Sequence, residues 1–64
     1  MKDVFGNYIK RGDTIAYAIT YGTGALLKVG RVEHVMNNYV TVLEQETLKY
    51  KDVSETDRRC VICN

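Results

Sequence analysis

The sequence predicts an all-β protein: a small five-stranded antiparallel barrel with a short helical turn before its last strand, built from residues 1–64 as one domain. Three observations predict it. The chain is rich in β-branched and aromatic residues, cut at short intervals by Gly and Asn, and contains no Pro. Two stretches, TIAYAITY and YVTVLE, alternate with the period of two that a pleated strand imposes. A chain of 64 residues builds only a thin core, and closing the sheet removes the exposed edges that invite aggregation.

The elements follow in order. Arg11-Gly12-Asp13 reads as the turn into the first strand and not as an adhesion signal. Gly12 supplies a backbone conformation closed to most residues, and Asp13 can accept backbone N–H groups where the strand begins. Over 14–21, Ile15, Tyr17, Ile19 and Tyr21 form a large-residue face against Thr14, Ala16, Ala18 and Thr20. Gly22-Thr23-Gly24 breaks the strand with a mobile loop. Residues 25–35 form a longer second strand, with Gly30 as a bulge or bend at its middle. Asn37-Asn38 marks a tight turn, because Asn tolerates the left-handed conformation. A third strand, 39–44, sets Val40 and Val42 against Tyr39, Thr41 and Leu43. A fourth is expected over 46–50. The polar run DVSETD then reads as one helical turn, with Asp52 near its start and Ser54 as its cap. Residues 59–63 complete the sheet. The predicted core is Ile15, Val32, Val40, Val42 and Ile62, with Tyr17 beside them.

Composition narrows the function. The formal net charge is +1, far from the basic excess of an obligate nucleic-acid binder. Bases outnumber acids in the first half (Lys2, Lys10, Arg11, Lys28 and Arg31 against Asp3 and Asp13), and the second half reverses this. No apolar run approaches the length of a membrane span, and MKDVFGNYIK has no apolar h-region. The expected location is therefore the cytoplasm, where both cysteines are reduced thiols.

Several motifs carry a resemblance. Gly12-Asp13 leads into Ile15 and Tyr17, and a Gly-containing loop follows. Then come Val29-Gly30-Arg31-Val32 with Val35, and a turn into Val40-Thr41-Val42. Over about residues 4–62 this resembles the SH3-like barrel in its KOW-type form. It is also similar to short uncharacterised phage proteins that open with K-D-x-F-G-N and carry G-D-x-x-A-Y. The KOW likeness implies association with nucleic acid or the transcription machinery, and the phage likeness implies a small accessory protein directed at a host protein. Signalling SH3 domains grip proline-rich peptides with aromatics that include Trp, beside an acidic loop. This chain has no Trp, and residues 20–25 read TYGTGA, so proline-peptide recognition is not expected.

No catalytic constellation is legible, and the chain reads as a non-enzyme with no cofactor. Cys60-Val61-Ile62-Cys63 has metal-ligand spacing, but residues three apart on a strand point to opposite faces, and His34 is the only further soft ligand. The expectation is one buried cysteine and one near the terminus, with no bound metal. Zinc shared across a homodimer is the alternative. His34 reads as solvent-facing, without the partner a general base needs. Glu44 and Glu46 read as a solvated face. Gly22-Thr23-Gly24 lacks the Lys and helix of a phosphate-binding loop.

Binding remains. Tyr39 and Leu43, out of phase with the core valines, and Tyr21 at the loop edge are candidate anchors for a protein partner, since aromatic rings give large contact area at low entropic cost. Alternatively, Lys28, Arg31 and Tyr39 bind nucleic acid by charge and stacking. A third reading is an oligomeric barrel that sequesters a small ligand between subunits, because a barrel this small is filled by its own side chains.

Overall fold

The computed structural model describes residues 1–64, the side chain of Tyr21 excepted. Five strands, β1 (Thr14–Tyr21), β2 (Gly24–Val35), β3 (Tyr39–Glu44), β4 (Tyr50–Ser54) and β5 (Cys60–Ile62), form one antiparallel sheet in the order β4-β3-β2-β1-β5. The helical turn α1 (Thr56–Arg59) precedes β5. All-β architecture, five antiparallel strands and the turn before the last strand are as the sequence predicts. Closure is not. The ladder ends at β4 on one side and at β5 on the other, so the sheet is open, because β5 is only three residues long and pairs with β1 alone.

One face of the curled sheet holds the core. Ile15, Tyr17, Val32, Val40, Val42, Val53 and Cys60 are buried there with Ile9, and Ile62 is half-buried against them. Cross-strand pairs such as Val32↔Val42, Val40↔Val53 and Tyr17↔Cys60 put these side chains on a common face.

Local geometry corrects several expectations. Gly22-Thr23-Gly24 is no open loop: Tyr21 pairs with Gly24, leaving a two-residue hairpin turn with Gly22 at φ +60°. Gly30 is not the bulge. It lies in continuous register, and a Cβ there would sit 2.8 Å from the Leu43 carbonyl oxygen, so the position requires close backbone approach. The register shifts at Glu33, between Val32 and His34. The chain does turn at Asn37-Asn38, with the Met36 N–H donating to the Tyr39 carbonyl at 2.9 Å, but neither Asn takes a left-handed conformation.

The fourth strand starts four residues later than its pattern suggests. Leu48 takes φ +57° and its N–H donates to the Glu44 carbonyl, so residues 45–48 are consumed by the turn. β4 therefore occupies half of the stretch read as helical, where Val53 fills the core. The helical turn moves to Thr56–Arg59, with left-handed Glu55 in place of a Ser54 cap.

The N-terminal residues, to which the sequence assigned no element, are ordered by Asp3. Its carboxylate accepts the N–H groups of Phe5 (3.0 Å) and Asn7 (2.9 Å), and Gly6 turns at φ +82°. The resulting loop lies along β5: Val4 N–H donates to the Cys60 carbonyl, and Ile62 N–H donates to Asp3 Oδ2. The K-D-x-F-G-N opening is thus a staple that covers one edge of the sheet. The Arg11-Gly12 turn behaves as read, with Gly12 at φ +94° and Asp13 Oδ2 accepting the Lys10 N–H at 2.8 Å.

Candidate binding face

Alternation along β3 sends Val40, Val42 and Glu44 inward and leaves Tyr39, Thr41 and Leu43, all half-buried, on the outer face. Register extends that face sideways. Leu43 pairs with Arg31 of β2 and with Tyr50 of β4, while Thr41 pairs with His34 and Asp52. The Thr41 hydroxyl donates to Asp52 Oδ1 at 2.9 Å, which fixes β4 against β3 on this side. Tyr50 is 65% exposed and stands beside Leu43. Tyr39 and Leu43 are thus brought onto one surface, as the sequence predicts. Tyr50 joins them: the sequence puts it at the end of a strand over 46–50, and the β3–β4 register sets it beside Leu43. Tyr21 lies at the far end of β1, and its side chain falls outside the described residues.

The basic candidates are not brought together. Lys28 pairs with core-facing Tyr17 and points to the opposite face from Arg31. Its Nζ lies 3.2 Å from Glu46. Arg31 shares the outer face with Leu43, but its Nε donates to Glu33 at 2.7 Å. A shallow cavity of about 250 Å³ lies between Arg31, Val32, Glu33 and the Arg11-Gly12 turn.

Glu44 does not belong to a solvated face. It is 2% exposed, accepts a hydrogen bond from the Thr47 hydroxyl at 2.6 Å, and that bond holds its carboxyl below the ordinary range. The signal was present, since Glu44 continues the phase of Val40 and Val42. Tyr17 lies close enough to Glu44 for the carboxylate to act on it, but its buried hydroxyl does not reach hydrogen-bonding geometry with any partner. Burial, reinforced by Glu44, pushes the Tyr17 pKa up to about 12. Both side chains are buried, as is the Cys60 thiol beside Tyr17.

Cys60 is buried with its thiol pushed up to about 11 by burial, and Cys63 is exposed. His34 is exposed, as read. Among the described residues, no group of three or more His, Cys, Asp or Glu side chains is gathered to hold a metal ion. No helix is long and apolar enough to cross a membrane.

Fold and face together define a small all-β domain with an aromatic outer surface. By sequence, the chain belongs to the family Domain of unknown function (DUF7205), whose model matches residues 1–62. Neither a curated protein nor a solved structure shows significant similarity to it.

Proposed function

We propose that this chain is a non-catalytic binding module that presents the outer face of β2, β3 and β4 to a protein partner. The observation that carries this reading is the placement of Tyr39, Leu43 and Tyr50 on one surface, with the polar row His34, Thr41 and Asp52 between Tyr39 and the Leu43–Tyr50 pair. Aromatic and aliphatic anchors interleaved with polar side chains are the composition that protein-binding surfaces favour. The strand order, with β5 beside β1 and a helical turn before it, fits an SH3-like arrangement left open at one side. With the likeness to phage proteins, the reading extends to a cytoplasmic accessory protein that occupies a surface of a host protein.

The arrangement of cations weighs against the KOW-like nucleic-acid reading, because Lys28 and Arg31 face opposite ways and each has an acidic partner. The test is affinity capture at 200 mM salt with nuclease, comparing Tyr39→Ala plus Leu43→Ala with Lys28→Glu plus Arg31→Glu. The first pair is expected to abolish partner capture, at a cost of about 2 kcal/mol or more, and the second to leave it largely intact. The reverse pattern replaces this reading with nucleic-acid binding.

A further inference from the structure

The two edges of the sheet are treated differently. At β5, the Cys63 N–H donates to the Thr14 carbonyl, which sets the antiparallel alternation so that Cys60 and Ile62 turn their backbone groups away from β1. Three of those four groups are occupied: the Cys60 N–H by the Thr56 carbonyl, the Cys60 carbonyl by Val4 N–H, and Ile62 N–H by Asp3. At β4, the Glu44 N–H donates to the Lys49 carbonyl, and the same alternation makes Lys51 and Val53 bond β3. Tyr50, Asp52 and Ser54 then point their N–H and C=O groups outward. Among the described residues only the Ser54 carbonyl has a partner there, Arg59 Nη1 at 3.4 Å. The strand is exposed at every position but Val53.

A row of unpaired, strand-shaped donors and acceptors is a template for another strand. A second copy of this chain fits it poorly. The antiparallel register that overlaps the whole of β4 with itself, each residue on its own face, sets Asp52 directly opposite Asp52, and like charges so placed destabilise. A strand of different sequence has no such conflict.

We propose that the edge of β4 takes an extended segment of a partner protein as a sixth, antiparallel strand. The complementary segment carries a basic side chain opposite Asp52, an acidic one opposite Lys51, and apolar ones opposite Tyr50 and Val53. Its outer side chains then continue the Tyr39–Leu43–Tyr50 surface. The inference deepens the proposed function by giving the mode of engagement, and it rests on that reading.

The test uses a displayed library of random dodecapeptides selected on the wild-type protein. Enriched peptides should carry a basic and an acidic residue side by side, flanked by apolar ones. Their affinity should fall by about tenfold or more for Asp52→Pro, which removes one outward N–H, and much less for Asp52→Ala, which keeps that N–H and shares the loss of the Thr41 bond. On the wild-type protein, bound peptide should slow amide exchange at Tyr50, Asp52 and Ser54, a readout that does not depend on either variant folding. Peptides that bind without protecting these amides overturn the proposal, as does a library that enriches none. Protection that grows with protein concentration in the absence of peptide also overturns it, in favour of self-association. Binding lost in Tyr39→Ala plus Leu43→Ala but intact in folded Asp52→Pro overturns strand addition and leaves the face reading standing. The opposite pattern removes the face reading and keeps the strand.

Discussion

The Asp3 carboxylate accepts the backbone N–H of Ile62 at 3.1 Å, joining the two ends of the chain across the edge of β5. Burial opposes ionisation of Asp3, but the N–H groups of Ile62, Asn7 and Phe5 outweigh it and lower its pKa from 3.8. A carboxyl whose folded pKa is depressed contributes stability that is complete above its unfolded value and lost as pH falls through the folded one. Asp3→Asn places an amide group where Ile62 N–H needs an acceptor, so its melting temperature should lie below wild type at pH 7. The gap should narrow below about pH 3.8 as wild-type Asp3 protonates. Thermal melts of both proteins across the acid range check this, and a gap independent of pH counts against the role of the charge.

Much of this architecture is legible from residues alone, and the reasons differ by element. β1 and β3 alternate cleanly, so Tyr17, Val40 and Val42 fall on the core face by period. β4 hides because its alternation is weak: only Val53 of its five residues is buried, and an edge strand needs no second apolar position. The turn before it depends on Leu48 at positive φ, which no local preference for Gly or Asn announces. Asp3 hides for another reason. Its partner Ile62 comes from the far end of the chain, and a short-range pattern cannot express that distance. The outer face is half legible: phase finds Tyr39 and Leu43, but only the β3–β4 register sets Tyr50 beside Leu43.

Tyr17→Phe should not destabilise the protein. The hydroxyl is buried and completes no hydrogen bond, so it keeps its desolvation cost without recovering it. Removing it is expected to be neutral or to stabilise by about 1 kcal/mol, raising the melting temperature by about 4–8 °C at most for a domain of this size. Because wild-type Tyr17 ionises only near pH 12, an unfolded chain gains charge first above about pH 10 and stability falls in that window. The Phe variant should lose less there. A fall of more than about 1 kcal/mol at pH 7 would mean that the hydroxyl holds Glu44 in place.

Gly30→Ala should be costly although the residue is no turn. Its Cβ would meet the Leu43 carbonyl oxygen at 2.8 Å, and that atom is main chain within the β2–β3 ladder and cannot swing aside. A cost of about 1–3 kcal/mol is expected from forced strand separation. Denaturant titration gives the value directly. An unchanged midpoint would show that the two strands part freely at this point.

The two thiols should react unequally. Cys63 is exposed, whereas Cys60 is buried with its pKa raised to about 11, and the thiolate is the reactive form. Native protein is expected to take one equivalent of an aromatic disulfide reagent rapidly and the second only on unfolding. Elemental analysis of the same sample should find no stoichiometric zinc. About one zinc per two chains, together with slow reaction at Cys63, would instead establish a site shared across a dimer.

Salt dependence gives the last prediction. Each phosphate a protein neutralises adds close to one unit to the slope of log affinity against log salt. Lys28 is paired with Glu46, Arg31 with Glu33 and Arg58 with Glu55, so each would have to break an ion pair to reach a phosphate. Lys2 lies over the Tyr8 ring at 4.9 Å, on the N-terminal loop. Arg59 donates to the Ala18 and Ser54 carbonyls, so Lys10, Arg11, Lys49 and Lys51 are left, which sets about two to four contacts as the ceiling. Any affinity for single-stranded DNA should therefore be weak and should fall by about ten- to a hundredfold between about 50 and 200 mM salt. Fluorescence anisotropy with a labelled oligonucleotide measures the slope. A loss of about 10³ or more over that range would require six or more phosphate contacts, and the outer face would then be read as a nucleic-acid surface with Arg31 released from Glu33.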